Sequence, residues 1–243
     1  MTRWHDLVPA LRLLTELSDA VGAAHKAGIT HRDIKPANVL LRGPSGPPVV
    51  ADFGICYIED GERRTLVDEA VGARLYIAPE LEDGRADRVS PRSDVYSLGK
   101  LLYRLLNGSR LFSREQHRAE SWDLVKLQGD VRLEHINRLL DRMITHSPDD
   151  RFQHAGEAAD AVRDVLRLIE GGFNVVSGTL PQQCRYCGQG QYHRAPSNTT
   201  TDISNFGLNP VGSAGWVFLV CDYCGHVELF RRKEARAASL WDR

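Results

Sequence analysis

No apolar run in this chain of 243 residues approaches the length that spans a bilayer. The nearest candidate, residues 98–106, is interrupted by Lys100 and Arg104. The first residues carry Arg3, His5 and Asp6 in place of a continuous apolar region, so no secretory signal is read there. Charge of either sign is not in excess: the net value is −1, which excludes bulk attraction to nucleic acid or to an anionic membrane. Cysteine is scarce, five residues, too few and too clustered for a secreted disulfide scaffold. There is no internal repeat beyond two short cysteine motifs, and no long low-complexity tract. These absences leave a cytoplasmic location and no membrane partner as the expectation.

What is present suffices for a folded protein. Hydrophobic residues make up 42%, enough for a packed core, and charged residues 26%, as on a soluble globular surface. The length accommodates one large domain or two smaller ones.

Apolar residues recur at helical spacing from 7 to 27: Leu7, Leu11, Leu14, Leu17, Val21 and Ala24 form one stripe, with Pro9 in the first turn and Gly28 as the stop. Val39-Leu40-Leu41 and Val49-Val50-Ala51 read as two short strands joined by a Gly/Pro-rich turn. A helix is predicted from about Ser90 to Asn107, and others over 113–127, 133–145 and 155–170. Residues 171–183 carry Gly, Ser, Thr and Pro and read as a linker.

Between the first helix and the second strand lies His31-Arg32-Asp33-Ile34-Lys35-Pro36-Ala37-Asn38-Val39-Leu40, followed by Asp52-Phe53-Gly54 and, later, Ala78-Pro79-Glu80. A carboxylate, an ammonium two positions on, an amide three beyond that and a second carboxylate suit phosphoryl transfer. One carboxylate orients a hydroxyl and accepts its proton, the cation meets the migrating phosphoryl group, and the amide with the second carboxylate holds magnesium. Asp-Phe-Gly alone would be unspecific; the three motifs in this order are specific. Over residues 5–170 the sequence resembles the large lobe of a eukaryotic-type serine/threonine protein kinase.

The resemblance implies ATP and Mg2+ as cofactors, with a protein substrate offering a Ser or Thr hydroxyl. Asp33 would be the catalytic base and Lys35 the phosphoryl-neutralising cation. Asn38 and Asp52 would hold magnesium, and Leu40 would form the apolar floor for adenine. It implies that Asp94 is a buried carboxylate accepting backbone N–H groups of the catalytic loop, and that Arg151 pairs with Glu80. His31 is expected to pack near Phe53. Residues 52–80 resemble the activation segment. Arg32 matches an arginine that orders this segment through a phosphate, and Thr65 is the one Ser or Thr between Gly54 and Glu80, hence the candidate phosphosite. Ala73 departs from the family, which places a threonine there.

The family's small lobe supplies a Gly-rich loop, a lysine and its glutamate partner, and no residue before Leu7 matches them. Such a segment, upstream or on another polypeptide, is therefore an expected partner, and the chain by itself is expected to be inactive or nearly so.

Near the C-terminus stand Cys184-Arg185-Tyr186-Cys187-Gly188 and Cys221-Asp222-Tyr223-Cys224-Gly225. Each Cys-x-x-Cys-Gly turn presents two thiolates, and two turns complete a four-sulfur shell for a structural Zn2+. Disulfides or a redox pair are the alternative, disfavoured without a strand–helix redox context. Cys56 reads as a small apolar residue. With Trp216 to Val220 and His226 to Phe230 as hairpin strands, residues 184–232 resemble a zinc ribbon, followed by a tail, 233–243. The expected fold is thus a mainly α kinase large lobe over 1–170, a linker, and a small β zinc ribbon. The competing reading is a non-catalytic docking module whose ribbon contacts a protein or, less favoured, nucleic acid.

Overall fold

The computed structural model describes residues 7–43, 46–53, 74–82, 89–108, 110–170, 174–175, 181–195 and 216–231. The chain divides into two compact units, Met1–Arg167 and Leu168–Arg243.

The first unit is helical. Helix α1, Leu7–Lys26, buries Leu11, Leu14, Leu17, Ser18 and Val21, the face given by the apolar stripe. Its backbone runs close to the helix that begins at Ala155. A Cβ on Gly22 would lie 2.9 Å from the amide nitrogen of Gly156, so only glycine allows this approach. After α1 come a 3-10 turn, Pro36–Asn38, and an antiparallel hairpin of β1, Val39–Leu41, and β2, Pro48–Val50, with Leu40 opposite Val49.

Helix α2, Pro91–Leu106, is the axis of the unit, buried along nearly its whole length. Helices α3, Leu124–Gln128, α4, Leu133–Asp141, and α5, Ala155–Glu170, complete the described helices. None of the described helices is long and apolar enough to cross a membrane.

Two helical expectations are corrected. Residues 113–123 are not helical. Side chains of α2 take carbonyls at both ends of this stretch: Lys100 Nζ donates to Phe112 O (2.7 Å) and Arg114 O (3.1 Å), and Tyr103 Oη to Trp122 O (2.7 Å). The helix starts only where the Asp123 side chain accepts the Lys126 N–H (3.1 Å) as an N-cap. Likewise α4 ends at Asp141, not at 145, because the Arg142 carbonyl accepts the Phe152 N–H (3.2 Å) and the Thr145 carbonyl accepts Arg151 Nε (2.8 Å).

The second unit is an antiparallel sheet in the order β3-β4-β5-β6: Asn174–Val175, Tyr192–Arg194, Trp216–Cys221 and Val227–Arg231. Residues 174–175 correct the linker reading, since they pair with His193 and Arg194 as an edge strand. Tyr192, Val217, Leu219 and Cys221 alternate onto one face and, with Cys184, make its core.

Candidate functional site

The loop after α1 is fixed from beneath by α2. Asp94, in the first turn and fully buried, accepts the His31 N–H (2.7 Å) and the Arg32 N–H (2.8 Å). These bonds hold Arg32 in the left-handed region, φ 71°, a conformation a non-glycine residue keeps only when its surroundings impose it. The same carboxylate meets His25 Nε2 at 2.8 Å. His25 Nδ1 accepts the Ala155 N–H (3.1 Å), so the proton sits on Nε2 and points at Asp94. Sequence reasoning passed over His25, although the buried positions 14, 18 and 21 of α1 lead at helical spacing to 25.

Within the loop, Asp33 Oδ2 accepts from Lys35 Nζ (2.8 Å) and from Asn38 Nδ2 (3.0 Å). Asn38 Nδ2 also donates to the Asp33 carbonyl (2.7 Å). Two consequences follow from the donor inventory. Asp33 Oδ1 has no hydrogen-bond partner among the described residues, so it is the oxygen free to take a hydroxyl proton. Asn38 spends its amide nitrogen on Asp33, leaving its carbonyl oxygen as the atom that could face a metal. Asp33, Lys35 and Asn38 are therefore brought together.

The second strand brings up Asp52. Ala51 is bonded to the loop on both sides, its N–H to Asn38 O (2.8 Å) and its carbonyl to His31 Nε2 (2.9 Å). The Asp33 N–H reaches His31 Nδ1 (3.2 Å), so Nε2 is the donor. His31 packs on Phe53, ring centroids 4.6 Å apart, as expected. Asp52 lies between these anchors with φ 57° and its side chain in solvent. Leu40 is 54% exposed on β1. Thr65, Ala73 and Cys56 lie outside the described residues.

Glu80 and Arg151 form a two-pronged ion pair, Nη1 to Oε1 2.8 Å and Nη2 to Oε2 2.9 Å, with Ser93 Oγ donating to Oε1 (2.8 Å). Arg151 is 1% exposed, and Nε and Nη2 also donate to the Thr145 and His146 carbonyls. Burial pushes the Glu80 carboxyl up, but the Arg151 hydrogen bonds and charge, with Ser93, outweigh it and hold the group below its ordinary range.

In the second unit, Cys184, Cys187, Cys221 and Cys224 are free thiols whose sulfurs all lie within 4.8 Å of one another. Two cross-pairs, Cys184 with Cys224 and Cys187 with Cys221, are 3.8 Å apart. A tetrahedron of sulfurs about 2.3 Å from a central zinc has an edge of about 3.8 Å. Gly188 and Gly225 close the two turns with φ 66° and 71°. The Gly190 N–H points at Cys187 Sγ (3.4 Å), and the Tyr223 N–H at Cys221 Sγ (3.4 Å).

Burial opposes ionisation of Cys184, but the Cys187 and Tyr186 N–H groups and the Tyr192 and Cys221 side chains bring it down to about 6. The His226 N–H acts to lower Cys224, yet burial and the three neighbouring sulfurs push that thiol up. Four sulfurs so close could hold one cation among them, and the donor set fits zinc. The two nearby histidines are engaged elsewhere: His193 Nε2 meets Asp222 Oδ2 (3.0 Å), and His226 stacks on Tyr186 at 4.8 Å.

The family model for the protein kinase domain matches residues 9–166. The chain is 32% identical over 176 residues to the serine/threonine-protein kinase PkaB of Streptomyces coelicolor, covering 67% of this chain and 40% of that protein. It is 34% identical over 161 residues to the serine/threonine-protein kinase PknA of Mycobacterium tuberculosis, 64% and 36%. Among solved structures it is similar to the PknI kinase domain of M. tuberculosis, with a TM-score of 0.50, 26% identity, and coverage of 68% of this chain and 58% of that one. The chain thus spans less than half the length of these curated relatives.

Proposed function

The chain belongs to the protein kinase family, and from that premise we propose that it carries the phosphotransfer machinery of a serine/threonine protein kinase. The observation that carries the reading is the set of bonds joining Asp33, Lys35 and Asn38, with Ala51 bringing Asp52 to the same loop. Asp33 Oδ1 accepts the proton of a substrate Ser or Thr hydroxyl as that oxygen bonds to the γ-phosphorus of ATP and the bond to the β–γ bridging oxygen breaks, with ADP leaving. Lys35 leaves Asp33 to meet the transferring phosphoryl group. Asn38 through its carbonyl oxygen and Asp52 through its carboxylate would hold Mg2+, which would supply neutralisation of charge on the phosphates. Leu40 offers its exposed side chain to the adenine. Arg32, whose buried Nε has no hydrogen-bond partner among the described residues, is the docking point for a phosphate on Thr65. Intact mass after incubation with ATP, on the chain joined to a kinase small lobe, tests that site: Thr65→Ala should lose one phosphate.

The described residues include no Gly-rich phosphate loop and no lysine–glutamate pair above this pocket. Those elements position the phosphates in the family, and the 243 residues assayed alone should transfer phosphate at or near background. Phosphate transfer from radiolabelled ATP to a Ser/Thr protein tests this, with the chain alone and with a kinase small lobe joined ahead of Leu7. The joined form should label Ser or Thr and lose that labelling with Asp33→Asn. Labelling that survives Asp33→Asn would remove the reading.

Cys184, Cys187, Cys221 and Cys224 hold a structural zinc, which fastens the two turns of the ribbon over residues 184–232 and does no chemistry on the phosphate. The reaction is assigned to the cytoplasm. The docking-module reading has one feature in its favour, the exposure of Leu40 and Leu41 (54% and 58%) on β1. An adenine or a covering lobe accounts for the same surface.

A further inference from the structure

Arg104 lies in the last turn of α2, half-buried, and its guanidinium has one partner among the described residues, the hydroxyl of Tyr76 (3.0 Å from Nη1). Arg92, Arg114 and Arg151 each hold a carboxylate; Arg104 holds none among the described residues. Tyr76 cannot supply the missing charge, because burial keeps its phenol protonated even beside the arginine. A guanidinium has five N–H donors in a planar fork, and a single phenol leaves most of them open.

Its position gives this cation a use. Asp94, Ser97 and Arg104 fall on one face of α2, at offsets of three and ten residues. Asp94 grips the loop that carries Asp33, Ser97 Oγ donates to the Tyr76 carbonyl (2.8 Å), and Arg104 holds the Tyr76 hydroxyl. One face thus carries, in order, the catalytic loop, the backbone just before Glu80, and a positive charge that no carboxylate among the described residues meets. Ten residues of helix are about 15 Å, the span of about four or five residues of extended peptide. Arg74 adds exposed charge of the same sign on the segment, while Glu82 is taken by Arg114.

We infer that Arg104 reads an acidic residue of the protein substrate, an Asp or Glu within about five positions of the acceptor Ser or Thr. The inference rests on the kinase reading and names the substrate class for the same site. The carboxylate takes the open edge of the guanidinium in a two-pronged pair while Tyr76 keeps its bond to Nη1.

The test is NMR titration of the full 15N-labelled chain, without nucleotide, with short peptides of one serine flanked by Glu, Ala or Lys. The Glu peptide should shift residues 74–81 and 97–104, bind roughly tenfold tighter than the Ala peptide, and weaken as salt rises. Arg104→Glu, which can still accept the Tyr76 hydroxyl proton, should transfer the preference to the Lys peptide. Should that variant not fold, Arg104→Gln, which retains a donor to Tyr76, should bind the Glu and Ala peptides alike. Equal binding of all three peptides by the unaltered chain, or a Glu preference that survives either variant, overturns the inference. Binding is read without ATP, so a failure of phosphate transfer would count against the kinase reading and leave this result standing.

Discussion

Asp33 is a carboxylate with one oxygen held by Lys35 and Asn38 and the other without a partner among the described residues, and that asymmetry gives it a testable role. In a complete, active protein, Asp33→Asn should lower kcat by about 10²–10⁴-fold while leaving the KM for ATP nearly unchanged, the signature of a lost base and not of lost binding. Steady-state kinetics checks both numbers. The Glu80–Arg151 pair makes the complementary point about stability. Arg151 is buried among carbonyls, so removing Glu80's charge strands a cation, and Glu80→Gln should cost about 3–5 kcal/mol in urea unfolding. Glu80's carboxyl is held below its ordinary value of 4.5 in the folded state. The stabilisation is therefore full above that pH and lost as pH falls through the depressed folded value. The variant's unfolding curve should lack this acid limb.

At the scale of elements, α2 organises the helical unit through side chains that take other segments' backbone groups. Lys100 is the most costly of these: fully buried, bonded to two carbonyls, with Nζ 3.9 Å from the Phe112 ring centre. Burial pulls its ammonium down to about 7, with Arg114 acting the same way and Glu115 opposing. The unfolded chain takes up this proton below about 10.5 and the folded chain only below about 7. Stability should therefore fall as pH drops from about 10 to about 7 and then level off. Lys100→Met should remove that slope in melting temperatures measured across the range. This lysine also helps keep residues 113–123 out of the helix that the sequence predicts over 113–127: local periodicity carries no sign of an amine from another helix competing for the carbonyls. In the ribbon, Gly190 packs on the second turn, and a Cβ there would overlap Cys221 Sγ, Tyr223 Cβ (2.6 Å) and Asp222 Oδ1 (2.7 Å). Gly190→Ala should weaken zinc retention against a competing chelator by at least about tenfold.

For the whole molecule, the helical lobe and the sulfur cluster were legible because both are written in fixed residue types at fixed spacings. His31 and Arg32 with Asp94, and Glu80 with Arg151, meet as the resemblance implies. What the sequence did not disclose are contacts between elements far apart in the chain, such as His25 with Asp94 and Ala155, and Arg104 with Tyr76. The edge strand Asn174–Val175 was hidden for another reason: two residues are too short to show alternation.

The account depends on Asp33, Asn38 and Asp52 facing one metal–nucleotide pocket. Paramagnetic broadening by Mn2+–ATP, read by NMR on the labelled chain, is the most direct measurement, because it detects even weak occupancy. Broadening should centre on residues 31–40 and 51–53 and vanish in Asp52→Ala. Broadening centred on an unrelated surface, or unchanged in that variant, would contradict the account.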